Sequence, residues 1–335
     1  MKKDNRILFI DIARGIAILL MIVGHITNTG TIRSLIYSFH MPLFIIVSGF
    51  FYKERTIKEE IKQSFYHLIL PTSIVVFIIT FIQNINSFNV IDSLIESLKT
   101  IAICWSHQSK ITYNFLSTKS LWFVYMLVLI KILFNITKKI SKENKLFLLG
   151  LILLQTYIGY LIGINGYWLT WSIDISFACM AFYYFGYILN KTRIINKIIK
   201  DTKLLILIYL FWLIGTGFNN IEIAIRSYPN GLWSYITAIC GSMLILKLAN
   251  IIEKKCNKLA KILSWCGENS LYILIIHYIE TALIKYNITP ENIELQKTII
   301  ITIKLIISTS FALVLIKIKE HCQKYILNIV KKQTK

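Results

Sequence analysis

Acidic residues are scarce in this chain, with 17 Asp and Glu against 37 Lys and Arg in 335 residues, and only four prolines interrupt it. Long polar stretches are missing too: 56% of residues are apolar and the mean hydropathy is +0.62, which excludes a soluble globular domain. Alternating ten-residue segments, the mark of transmembrane barrel strands, do not occur. The six cysteines (Cys104, Cys179, Cys240, Cys256, Cys266 and Cys322) have no CxxC spacing. They predict neither a disulfide framework nor a metal site. No small-x-small cleavage site follows the basic start (Lys2, Lys3, Arg6), so the first apolar run is expected to stay as a helix. The internal repeats and interrupted helix pairs that mark many transporters are not visible either.

What the chain has instead is a succession of apolar runs near 20 residues, each long enough to cross a bilayer as a helix. Spans are expected over 7–27, 33–52, 65–85, 120–136, 146–163, 173–190, 203–219, 231–249, 268–285 and 298–318. Segment 88–103, with Asp92, Glu96 and Lys99, reads as an amphipathic helix at the membrane surface. Alternate loops differ sharply in charge. KERTIKEEIK (53–62), KKISKENK (138–145), 191–203 and EKKCNKLAK (253–261) are basic, as are both ends of the chain, whereas the opposite loops hold few cations. The positive-inside rule then puts both termini in the cytoplasm, consistent with ten crossings of a plasma membrane. The fold class expected is therefore all-α and polytopic, with a membrane domain over 1–320, a short basic tail over 321–335 and no soluble appendage. The net charge of +20 is topological, and nucleic acid is not an expected partner.

The first run, ILFIDIARGIAILLMIVGHIT, contains Asp11, Arg14 and His25. An Arg or Asp at a helix centre costs roughly 2.5–3.5 kcal/mol on insertion scales, so such groups point to function. Eleven residues at 100° each return to within about 20° of the start, so Arg14 and His25 share a stripe with Ile18 and Met21, about 16 Å apart along the axis. Both are expected to face the protein interior. Asp11 is three residues from Arg14, close enough to pair on one face. The second span opens with His40, two residues before Pro42, and contains Ser48-Gly49, a small pair suited to close helix packing. Gly267-Glu268-Asn269-Ser270 opens the ninth span as a helix start, for which ordinary capping chemistry suffices. Asp174, Glu280, Lys131 and Lys304 are further intramembrane charges without an assigned role.

Four segments together resemble the acyltransferase-3 family of integral-membrane acyltransferases, and especially its fucose 4-O-acetylase-like branch. They are IDIARGIAILLMIVGH (10–25), FHMPLFIIVSGFF (39–51), SLWF (120–123) and GENSLYILIIH (267–277). The resemblance implies transfer of an acyl group, usually acetyl from acetyl-CoA, to a hydroxyl of a glycan, a lipid-linked sugar or a related envelope molecule. It further implies that Arg14 and His25 are the family's essential pair and that His40 is the histidine of the H-M-P branch. In that reading His25 is the base that deprotonates the acceptor and Asp11 holds Arg14. Arg14 contacts the donor, and His40 is a second base, an oxyanion donor or a positioning group. Trp122 and Tyr125 are candidates for the acceptor path. Trp168 and Trp171, with Tyr167, are candidates to stack on a sugar, or they form an interfacial belt. No metal is expected, and the partners are acyl-CoA, the acceptor and membrane lipid. The competing classes are a transporter or flippase for a lipid-linked sugar, and a scaffold whose charges only fix helix packing.

Overall fold

A computed structural model of the chain describes residues 7–27, 30–85, 88–105, 118–217, 221–286 and 292–333, with side chains to 321. Its helices in chain order are α1 (Leu8–Gly24), α2 (Thr31–Tyr37), α3 (His40–Phe50), α4 (Ile57–Ser64), α5 (Leu70–Asn84), α6 (Val90–Ile103), α7 (Trp122–Ile140) and α8 (Lys145–Ile164). They continue as α9 (Ile173–Ala178), α10 (Met180–Lys191), α11 (Ile195–Lys200), α12 (Thr202–Thr216), α13 (Leu232–Lys255), α14 (Asn257–Glu268), α15 (Ser270–Leu283) and α16 (Ile293–Gln333). No strand occurs among the described residues, so the all-helical class holds.

Among the described residues, six segments are long and apolar enough to cross a membrane: Thr31–Phe50, Ile57–Asn84, Lys119–Ile140, Lys145–Ile164, Leu232–Lys255 and Ile293–His321. Two bent pairs, α9–α10 at 58° and α14–α15 at 71°, raise the number to eight. Helices α1 and α12, of 17 and 15 residues, fall below the usual span length of about 20. The apolar window 7–27 overstates α1, because hydropathy counts residues that have already left the helix, and the window 203–219 runs past Gly217 to positions outside the described residues.

Several boundaries differ from the sequence expectation for local reasons. The basic stretch 53–62 is not all loop. Thr56 and Glu59 form a capping box that starts α4, which runs through a π-turn at Phe65–Ile69 into α5. The π-turn stands just ahead of Pro71, which has no N–H to continue an α ladder. The stretch 253–261 is likewise helical, ending α13 and opening α14. Helix α16 runs on through Gln333, so the backbone shows no break at 320. Helix α6 follows α5 as foreseen, but inverted. Its small polar residues Ser93, Ser97 and Thr100 are buried, while Ile91, Leu94 and Leu98 face outward.

Helix α1 is the hub. It is buried on nearly every side and packs on α3, α13, α14 and α15. Its contact with α14 depends on two glycines, since a Cβ on Gly15 would overlap Leu263 carbonyl atoms and one on Gly267 would overlap those of Asp11. Close backbone approach of this kind substitutes for the hydrophobic drive that lipid removes. Gly49 of the Ser48-Gly49 pair works the same way, lying against the Tyr183 backbone of α10.

Candidate functional site

Two polar points join α1 to α15. Near the start of α1, Arg14 donates through Nη2 to Ser270 Oγ at 3.0 Å and lies 3.6 Å from Asp11 Oδ1, so the foreseen Asp11–Arg14 pair forms. Ser270 therefore does more than open a helix; no side-chain capping bond forms there, and its hydroxyl receives the guanidinium instead. Near the end of α1, His25 Nδ1 and His277 Nε2 are 2.9 Å apart, with the rings stacked at a centroid distance of 5.1 Å. Ser270 and His277 are seven residues, two turns, apart, and so face the same side of α15. That spacing was the sequence signal that could have found them: a three-turn stripe on one helix meets a two-turn stripe on another.

His25 is expected to face the protein interior, and the interior it meets is an open cavity, not packed core. Helix α1 stops at Gly24, and His25 sits one residue beyond it with its side chain exposed. What it faces is a cavity of about 1070 Å³ shared by both polar points. Arg14, Ser270, His25, His277 and His40 all line it, and so does Trp122. His40 is buried at the first residue of α3, where Pro42 in the opening turn sacrifices no hydrogen bond. Its Nδ1 is 2.9 Å from the Ile36 carbonyl. A carbonyl only accepts, so Nδ1 carries the proton and Nε2 is the acceptor nitrogen.

The remaining candidates separate. Tyr125 is fully buried and bonded to Ser73 at 2.8 Å, and Trp171 packs edge-on against it; neither lines the cavity. Trp168 also lies outside the lining, and the Arg226 guanidinium covers its ring at 3.8 Å. Asp11 stays behind Arg14 and does not reach the cavity wall.

The cavity's two ends differ in character. At the Arg14 end, α3 returns to the same face as the start of α1, bringing Lys53 and Arg55 with it. There Glu60 Oε2 is 3.0 Å from Arg55 Nη1 and Glu60 Oε1 is 2.5 Å from Lys131, so one carboxylate holds two cations. At the histidine end, Arg33 pairs with Glu222 at 2.9 Å and covers the Tyr37 ring at 3.9 Å. The intramembrane charges left without a role prove to be paired. Lys131 is bound to Glu60, Asp174 to Arg226 at 2.8 Å, and Glu280 to Lys304 at 2.7 Å. No group of three or more His, Cys, Asp or Glu among the described residues is arranged to hold a metal ion.

The arrangement can thus receive an anionic molecule at one end and exchange a proton at the other. A family model described as an acyltransferase domain (Acyl_transf_3) matches residues 7–317, nearly the whole chain. No curated protein matches.

Proposed function

The chain belongs to this acyltransferase family, and from that premise we propose that it is a membrane O-acetyltransferase. It moves acetyl from acetyl-CoA to a hydroxyl of a cell-envelope glycan or lipid-linked sugar, as members of the fucose 4-O-acetylase-like branch do. The observation that carries this reading is one cavity with Arg14 at one end and His25, His40 and His277 at the other. Counting α1 and α12 as short crossings beside the eight others makes ten, with both termini on the cytoplasmic side of the plasma membrane. The Arg14 end is then the cytoplasmic one, where acetyl-CoA is available.

In the mechanism, Arg14, Lys53, Arg55 and Lys131 outnumber Glu60 and favour the coenzyme's phosphates, while the pantetheine arm extends along α1. The roughly 16 Å between Arg14 and His25 along α1 is of the order of that arm's length. His25 takes the proton of the acceptor hydroxyl, and the oxygen attacks the thioester carbonyl. The C–S bond breaks, and the thiolate leaves with that proton as coenzyme A thiol. His40, with its acceptor Nε2, orients the hydroxyl by receiving a hydrogen bond from it. Trp122 lines the acceptor's path.

Purified protein given [14C]acetyl-CoA and membranes of the cells that express it tests this reading. Label should enter the glycan fraction, and His25→Ala should abolish its entry. A flippase would instead move lipid-linked sugar across vesicles without acetyl-CoA; that result, with no label transferred, would overturn the proposal.

A further inference from the structure

We propose that His277, braced by Glu280 and Lys304, is a positioning residue that sets the tautomer of His25 and so selects its Nε2 as the proton acceptor. This rests on the reading of His25 as the base.

Two imidazoles 2.9 Å apart share one proton, and what stands behind the second ring decides which one donates. Behind His277 is a carboxylate: Nδ1 of His277 lies 3.7 Å from Glu280 Oε2 and is buried with no hydrogen-bond partner. Both Glu280 oxygens are held at 2.7 Å by Lys304 from α16, and the ammonium lies 4.8 Å over the Tyr286 ring. His277, Glu280 and Lys304 are 1%, 3% and 6% exposed. An ion pair this buried is often replaceable by apolar residues at no loss of stability, so its stability contribution alone does not explain it.

A carboxylate only accepts, so the favourable tautomer of His277 directs Nδ1–H at Glu280 and leaves Nε2 as acceptor. His25 then donates Nδ1–H to His277, and its basic lone pair is on Nε2. When the acceptor hydroxyl gives its proton to that nitrogen, the positive charge formed is opposed through His277 by Glu280. As the C–S bond breaks, the same proton passes to the thiolate, so no net proton is taken up. The order base, orienting group, carboxylate follows the logic of the Ser-His-Asp triad, with a second imidazole inserted. The charged or titratable groups around His277 are His25 just past the end of α1, Glu280 on α15 and Lys304 from α16. His40 from α3 and Lys119 ahead of α7 share the cavity wall.

The test uses full-length protein in nanodiscs, with [14C]acetyl-CoA and the same native membranes as acceptor source. His277→Ala should lower kcat about a hundredfold and leave KM for acetyl-CoA within about twofold, as expected for loss of an oriented base. His277→Gln, whose amide oxygen accepts from His25, should recover about tenfold of that loss. Glu280→Gln removes the opposing charge but leaves Lys304, so the acid limb of the kcat/KM–pH profile should move about one unit lower. If His277 only packs, the variants will lose folded yield while kcat per folded molecule and the pH profile stay wild-type, which overturns the proposal. If neither His277 variant folds, the Glu280→Gln profile decides, and superposition on wild type is again fatal. A fully active His25→Ala would instead remove the base reading itself, a separate failure.

Discussion

Arg14 has one charged and one neutral partner, and the difference bears on what the guanidinium is for. Asp11 at 3.6 Å opposes its charge, while Ser270 at 3.0 Å fixes its direction toward the cavity. A lysine would keep the charge and lose the planar fork. Arg14→Ala should therefore raise KM for acetyl-CoA about tenfold or more, with Arg14→Lys in between, as initial rates against donor concentration would show. A second consequence concerns protons. A protonated imidazole has no lone pair to accept the acceptor's proton, so activity should be low in acid and rise with pH through the imidazole range. A pH–rate profile that falls over that interval would contradict His25 as the base. Asp11, Arg14, His25 and His40 were legible in the sequence because ionisable groups in an apolar run stand out. Ser270 and His277 were less so, because a serine at a helix start and a histidine near a helix end have ordinary explanations until the facing helix is known.

Among elements, the packing of α1 on α14 is a close backbone approach that the site depends on. The site residues Arg14 and Ser270 lie directly beside the Gly15–Gly267 contact. Gly267→Val would force α14 away from α1 by the width of a side chain. Overpacking costs about 1–3 kcal/mol in ordinary cores, and a rigid backbone neighbour leaves little room for relief. The variant should unfold at lower temperature in detergent and lose acetyl transfer. An unchanged melting temperature would show that the contact is dispensable. Helix boundaries were the least legible part of the fold. The break between α14 and α15, the break between α9 and α10, and the π-turn before Pro71 all lie inside continuous apolar or basic stretches. A hydropathy window averages across such breaks, whereas the backbone makes them wherever local bonding fails.

At the scale of the whole molecule, charge is arranged on two levels. Lysines cluster in alternate connecting stretches, and buried charges are paired between distant segments. Asp174 and Arg226 are 0% and 1% exposed on their side chains and meet across 52 residues of sequence. Losing one member of a buried pair costs about 3–5 kcal/mol, because the other charge stays buried. Asp174→Asn should therefore destabilise the protein by about that much in thermal unfolding, and the double change Asp174→Asn, Arg226→Met by clearly less. Orientation has its own test. A membrane-impermeant maleimide applied to intact cells should label Asn165→Cys and spare Lys142→Cys. The reverse pattern would place the termini outside and the Arg14 end away from cytoplasmic donor.

From the sequence alone came the class of molecule and the two most exposed clues to its chemistry. Bilayer thickness and the cost of an unsatisfied backbone turn a run of apolar residues into a helix without reference to the rest of the chain. The same cost makes Arg14 and His25 conspicuous. The tertiary structure alone decided which helices stand side by side. It turned one helix's stripe into a cavity wall, paired charges far apart in the chain, and put a second histidine and a carboxylate behind the first. Pairing across a fold depends on helix order and crossing angles, and no local rule of composition or spacing carries that information.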